Sequence, residues 1–240
     1  TAAMYGGASL VTFALLREHA RPNPEAAAQG GLRASMARLR QTFGHARRYQ
    51  DFMWLMACAA CYQAGVAVAI SLAAIYAEQV IGFAPQETMV LIFALNAAAA
   101  GGALAWGYLQ DGVGHKAALG ATLVGWIATC VIAAVVTSKA GFWWAAAIAG
   151  VCMGSSQSAG RALAGLFAPP RQLAEFFGLW SVAIRLASIV GPLSYGAITW
   201  GTGGNHRVAI LATTAFFIAG LALLLKVDVA RGRAAALRTP

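Results

Sequence analysis

The chain has 240 residues, of which 60% are hydrophobic and only 10% charged. A soluble domain carries about 25% charged residues, so there is too little polar side chain here to coat a water-facing surface. The net charge of +9 would suit a nucleic-acid binder, but the basic residues gather in a few links between apolar blocks. That is the marking of cytoplasmic loops in membrane proteins, and no nucleic-acid partner is expected.

In chain order, the block at 1–16 is apolar but short for a bilayer, and it has neither a starting Met nor a signal-peptide pattern. It reads as a truncated transmembrane helix, making the chain a fragment. Residues 17–51 read as a cytoplasmic loop. Within it Leu32, Met36, Leu39 and Phe43 recur at helical spacing among Arg33, Arg38, Arg40, Arg47 and Arg48, the pattern of a basic amphipathic helix on the inner membrane surface. Six apolar blocks follow at 52–77, 88–106, 116–136, 141–167, 175–200 and 208–225, each long enough to cross a bilayer as a helix. An open sheet cannot satisfy its backbone in lipid, so the fold class is all-α: a polytopic six-helix transmembrane bundle over 52–227. Residues 228–240 form a cytoplasmic tail.

Six crossings put the basic loop and the tail, with Lys226, Arg231, Arg233 and Arg238, on the same side, together with Lys116 and Arg171. Only Lys139 and Arg207 fall opposite. The asymmetry places the loop and the C-terminus in the cytoplasm. Cys58, Cys61, Cys130 and Cys152 all lie inside apolar blocks and read as small packing residues; no metal or cofactor set is expected.

Enzyme signatures are missing: no H-E-x-x-H, Walker loop or dinucleotide fingerprint is present. Gly154-Ser155-Ser156 resembles the G-x-S of intramembrane serine proteases, whose serine needs a histidine base within reach. His206 falls at the outer end of the last span and His19, His45 and His115 on the cytoplasmic side, so close helix packing explains the small residues better.

Three other cues concern charge. In the link Gly107-Tyr108-Leu109-Gln110-Asp111-Gly112-Val113-Gly114-His115-Lys116, the glycines suit a tight turn and close approach. Asp111 suits a cap on the following helix or a latch to a neighbouring basic group. Arg185 stands ten residues after Glu175, hence about 15 Å deeper along a helix, near the bilayer midplane. A cation there marks a functional site by default, suited to a substrate carboxylate. Arg161 sits one turn after Gln157, and an Arg161–Glu175 pair is expected to tie two helices at the inner surface. Gln157, Gln63 and Asn96 are polar residues within spans, serving as helix glue or substrate contacts. No Asp or Glu lies near the middle of any complete span, so no proton relay is visible.

The link GYLQDGVGHK resembles the cytoplasmic motif G-x-x-x-D-R-x-G-R-K of the major facilitator superfamily through Gly107, Asp111, Gly114 and Lys116; Gly112 and His115 replace basic residues. GSSQSAGRALAGLFAPP, AEFFGLW and RLASIVGPLSYG, with HARRYQDF and LAAIYAEQVIGF, are similar to the vacuole-effluxer-like branch of that superfamily, whose fungal members export amino acids in connection with autophagy. Two departures stand out. Ala64-Gly65-Val66-Ala67-Val68 replaces an Asp-Gly-Val-Gln-Thr stretch frequent in relatives, and Arg185 stands where relatives often have Lys.

The resemblance implies the C-terminal half of a twelve-helix carrier, working with a missing N-terminal six-helix half by alternating access. On that reading Arg185 and Gln157 meet a small-molecule substrate such as an amino acid. Gly107, Asp111, Gly114 and Lys116 form a cytoplasmic hinge, and Arg161 and Glu175 brace the same end. The setting is a lipid bilayer, expected to be the bacterial cytoplasmic membrane. The alternatives are a carrier of another organic solute (drug, sugar or organic anion) and a non-transporting membrane scaffold.

Overall fold

The computed structural model describes residues 43–44 and 46–238. The short block at 1–16 and most of the basic amphipathic segment lie outside them. Among the described residues every regular element is helical: α1 Gln50–Tyr76 continuing into a π-helical turn Ala77–Ile81, α2 Pro85–Val113, α3 His115–Val135, α4 Lys139–Phe167, a 3₁₀ turn Pro170–Gln172, α5 Leu173–Gly201, α6 His206–Leu225 and α7 Val229–Leu237.

Local chemistry sets most of the boundaries. Gly82 takes a left-handed φ of 80° after the π turn. Pro85 starts α2 at a position where its missing N–H costs nothing, and Glu87 accepts from the Ala84 N–H at 2.7 Å. Ser138 and Asn205 accept from backbone N–H groups at the starts of α4 and α6. Pro169 and Pro170 separate α4 from α5.

The structure departs from the sequence reading in three places. The link 107–116 is not a loop: α2 runs helical to Val113 and the only break is Gly114, at φ 87°. Within the tail, 229–237 form a further helix, α7, that the sequence reading does not assign, packed on α1 and α4. Five of the six long helices are apolar enough to cross a membrane. The exception, α4, is equally long but diluted by Gly154-Ser155-Ser156-Gln157-Ser158 and Arg161.

The bundle has an internal logic of two triplets. α1 packs mainly on α5 and α6, while α4 packs mainly on α2 and α3; α3 meets α6, and α1 touches α4 only lightly. Exchanging α1–α2–α3 for α4–α5–α6 reproduces this pattern, and α1 and α4 run in opposite directions. The relation is that of an inverted repeat. Glycines allow the closest crossings. Gly154 of α4 lies against the Ala99 carbonyl of α2, and Gly191 of α5 against the Ala64 carbonyl of α1, with no room for a Cβ at either. The main core joins Tyr62, Leu163 and Phe176 with Trp126 and Phe217, whose rings stack 5.2 Å apart. A second cluster around Tyr76, Phe83 and Phe142 closes the opposite end.

Candidate functional site

α5 presents three faces, because successive residues on a helix turn by roughly 100°. Phe176, Trp180, Ala187 and Gly191 are buried against the bundle. Val182, Leu186, Ile189 and Leu193 form an exposed apolar face, suited to lipid. Between them runs a third stripe, Ser181, Arg185, Ser188 and Gly196, all exposed, with Pro192 among them. Pro192 has no N–H, so the Ser188 carbonyl on this stripe loses its helical donor. Arg185 therefore stands mid-helix on an outward polar face. An arginine at a bilayer centre costs roughly 2.5–3.5 kcal/mol.

Gln157 lies on α4 facing α1. Gln63 Nε2 donates to Gln157 Oε1 at 3.0 Å, and Gln157 Nε2 donates back to Gln63 Oε1 at 3.1 Å. Tyr62, next to Gln63, is fully buried with its ring against Gly160 and Trp180, and its hydroxyl has no partner among the described residues. Asn96, exposed on α2, donates to the Ile92 carbonyl of its own helix at 2.8 Å.

The remaining expected residues cluster at the end where α1 and α5 begin. Asp111 is exposed on the last turn of α2 and caps nothing; the N-cap position of α3 is Gly114, which has no side chain. Gly107 has open space around it rather than a close neighbour. Lys116 reaches across to α6, where Nζ donates to the Val227 carbonyl at 2.6 Å and the Leu225 carbonyl at 3.4 Å. A cation there satisfies orphan carbonyls at the negative end of the helix dipole. Arg161 and Glu175 are both exposed, and no ion pair joins them; α4 and α5 pack too sparsely to bring them together.

The ion pair that does tie this end went unread in the sequence. Asp51, 3% exposed in the first turn of α1, accepts from Arg231 Nε at 2.8 Å, Arg231 Nη2 at 2.7 Å and the Asp228 N–H at 2.8 Å. The hydrogen bonds and charge of Asp51 hold the Arg231 guanidinium above its usual pKa. Lys226 adds a cation–π contact, 4.5 Å from the Trp54 ring. Partners 180 residues apart leave no local spacing to find.

At the other end a cavity of about 280 Å³ is lined from α1 to α6, with Leu72, Leu95, Trp126, Phe142 and Met153 among its walls. Its tyrosines are already engaged, Tyr76 donating to the Ala133 carbonyl at 2.7 Å and Tyr195 paired with His206 Nδ1 at 3.0 Å. Ser156 is fully buried and donates to the Met153 carbonyl of its own helix. Among the described residues no three His, Cys, Asp or Glu side chains converge in a way that could hold a metal.

Comparison with known proteins places this arrangement. An uncharacterised MFS-type transporter of Bacillus subtilis (strain 168), YxiO, is 26% identical over 190 residues, 79% of this chain and 44% of that protein. Among solved structures, a bacterial homologue of the human lysosomal transporter Spinster, inward-facing and unoccupied, superposes with a TM-score of 0.64 over 96% of this chain and 57% of that chain. At 17% identity this shows a shared fold. The chain thus spans about half the length of the relatives it matches. A family described as vacuole effluxer Atg22 like matches residues 2–237, and the chain belongs to that family.

Proposed function

We propose that the chain supplies one six-helix bundle of a secondary carrier that moves a small zwitterionic or anionic solute, an amino acid first among them, by alternating access. The observation that carries this reading is Arg185, exposed in mid-helix on a polar stripe distinct from the apolar face beside it. A guanidinium offers a planar fork matched to a carboxylate. In such carriers two bundles rock about a site near the bilayer midplane, and the stripe is the surface this bundle would turn toward a second one. Family membership and the transporter names of its relatives support the same class. The basic end of the bundle would face the cytoplasm, in a bacterial cytoplasmic membrane.

The test is exchange of a radiolabelled amino-acid mixture by proteoliposomes holding the complete protein. Saturable exchange is expected, lost in Arg185→Ala and partly kept in Arg185→Lys. Exchange indifferent to Arg185→Ala would remove this residue from the path. Well-folded protein that exchanges no amino acid would move the assignment to another organic solute or to a non-transporting scaffold.

A further inference from the structure

We infer that Gln63 and Gln157 act as one solute-binding unit, a mutual amide clasp that exchanges its internal hydrogen bonds for bonds to the solute. The inference rests on the carrier reading above and adds a residue, Gln63, and a mode of action to it.

Position is the first argument. α1 and α4 are corresponding helices of the two inverted triplets, and they touch only lightly. The amide pair joins them by two reciprocal hydrogen bonds, at 3.0 and 3.1 Å. In carriers built from inverted repeats, solute sites lie at the repeat interface near the midplane. Gln63 stands near the middle of α1, so the pair satisfies both conditions.

Valence is the second. A primary amide has two N–H donors and a carbonyl with two lone pairs. Each glutamine spends one donor and one lone pair on the other, so each keeps one of both. Each amide also fixes the orientation of the other, which lowers the ordering cost of binding. A solute that brings donors and acceptors together, as the ammonium and carboxylate of an amino acid do, is complementary to this edge.

Space is the third. Met153, one helical turn from Gln157 on the same face of α4, lines the 280 Å³ cavity, and so does Val68, five residues beyond Gln63 on α1. Neither glutamine lines the cavity itself, and the opening begins one turn away from Gln157, at Met153. Arg185 lies six residues before Gly191, which packs beside Ala64, so it is about 9 Å away along α5 and on the outward stripe rather than against the pair.

Simple helix glue would also produce a bonded amide pair, and thermodynamics separates the two roles. Removing one glutamine strands a buried polar partner, whereas replacing both by apolar residues of similar shape is nearly neutral for stability. The experiment compares Gln63→Leu, Gln157→Leu and the double variant in the complete protein, reading thermal stability and KM for the best-exchanged component of the labelled amino-acid mixture. The expected result is that the single variants lose stability, while the double variant regains it and still shows KM raised about tenfold or more. A double variant that regains both stability and KM overturns the inference and leaves the carrier reading standing. Wild-type protein that exchanges nothing overturns both.

Discussion

At Gly160 one methyl group decides whether α1, α4 and α5 close together. A Cβ there would collide with the Tyr62 hydroxyl, which is buried and has no hydrogen-bond partner among the described residues. Gly160→Ala should therefore cost about 1–3 kcal/mol by overpacking. Tyr62→Phe removes the colliding atom together with an unsatisfied buried polar group, so alone it should leave Tm unchanged or raise it. In the double variant it should recover most of the loss. Thermal unfolding of the four proteins in detergent checks this, and a Tyr62→Phe variant that melts well below the wild type would reveal a hydrogen bond to the hydroxyl. Residue-level chemistry was also where the sequence was most uneven. Arg185 and Gln157 stood out because charge and amide are rare in apolar blocks. Their surroundings did not, since the stripe beside Arg185 and the Gln63 partner 94 residues from Gln157 depend on how helices face one another.

Among the elements, α2 shows why a glycine-rich polar run is an ambiguous signal. Gly107, Asp111 and Gly112 read as a loop, yet the helix passes through them, because a helix leaving the membrane needs no apolar residues and tolerates glycine at about 1 kcal/mol each. Only Gly114, at φ 87°, has a conformation that side chains resist. Gly107→Ala has free space for its methyl and should stabilise the bundle by up to about 1 kcal/mol, whereas Gly114→Ala should destabilise it by about 1–2 kcal/mol. Denaturation midpoints of the two variants against the wild type separate these outcomes. A marked loss for Gly107→Ala would mean that this face packs closely against another part of the protein. Lys116 was legible as a cation at a helix start, but its partners on α6 were not. The Arg161–Glu175 pair failed for the converse reason: two opposite charges near one end say nothing about whether their helices approach.

For the whole molecule, the apolar blocks and the brevity of their links made the helix number, order and alternation readable, since bilayer thickness dictates block length. The two-triplet arrangement was not readable, because it resides in the contacts between helices. It carries its own prediction. Gly154 and Gly191 hold the two corresponding crossings between the triplets, α4 on α2 and α5 on α1, each against a backbone carbonyl that cannot step aside. Gly154→Ala and Gly191→Ala should both be severe, at about 3 kcal/mol or more, and similar in size. Measured Tm values that fall in one and hold in the other would break the equivalence of the triplets.

The clasp between Asp51 and the α6–α7 elbow also orders events in time. Asp51 must wait for Asp228 and Arg231, which lie 177 and 180 residues later in the chain. At ordinary synthesis rates of about 5–20 residues per second, the delay is roughly ten seconds or longer. Throughout it a carboxylate destined for burial is present on the first helix of the bundle without its counter-ion. A chain interrupted before residue 228 thus leaves Asp51 without the two groups that neutralise and bond it, and only the arrival of α7 supplies them.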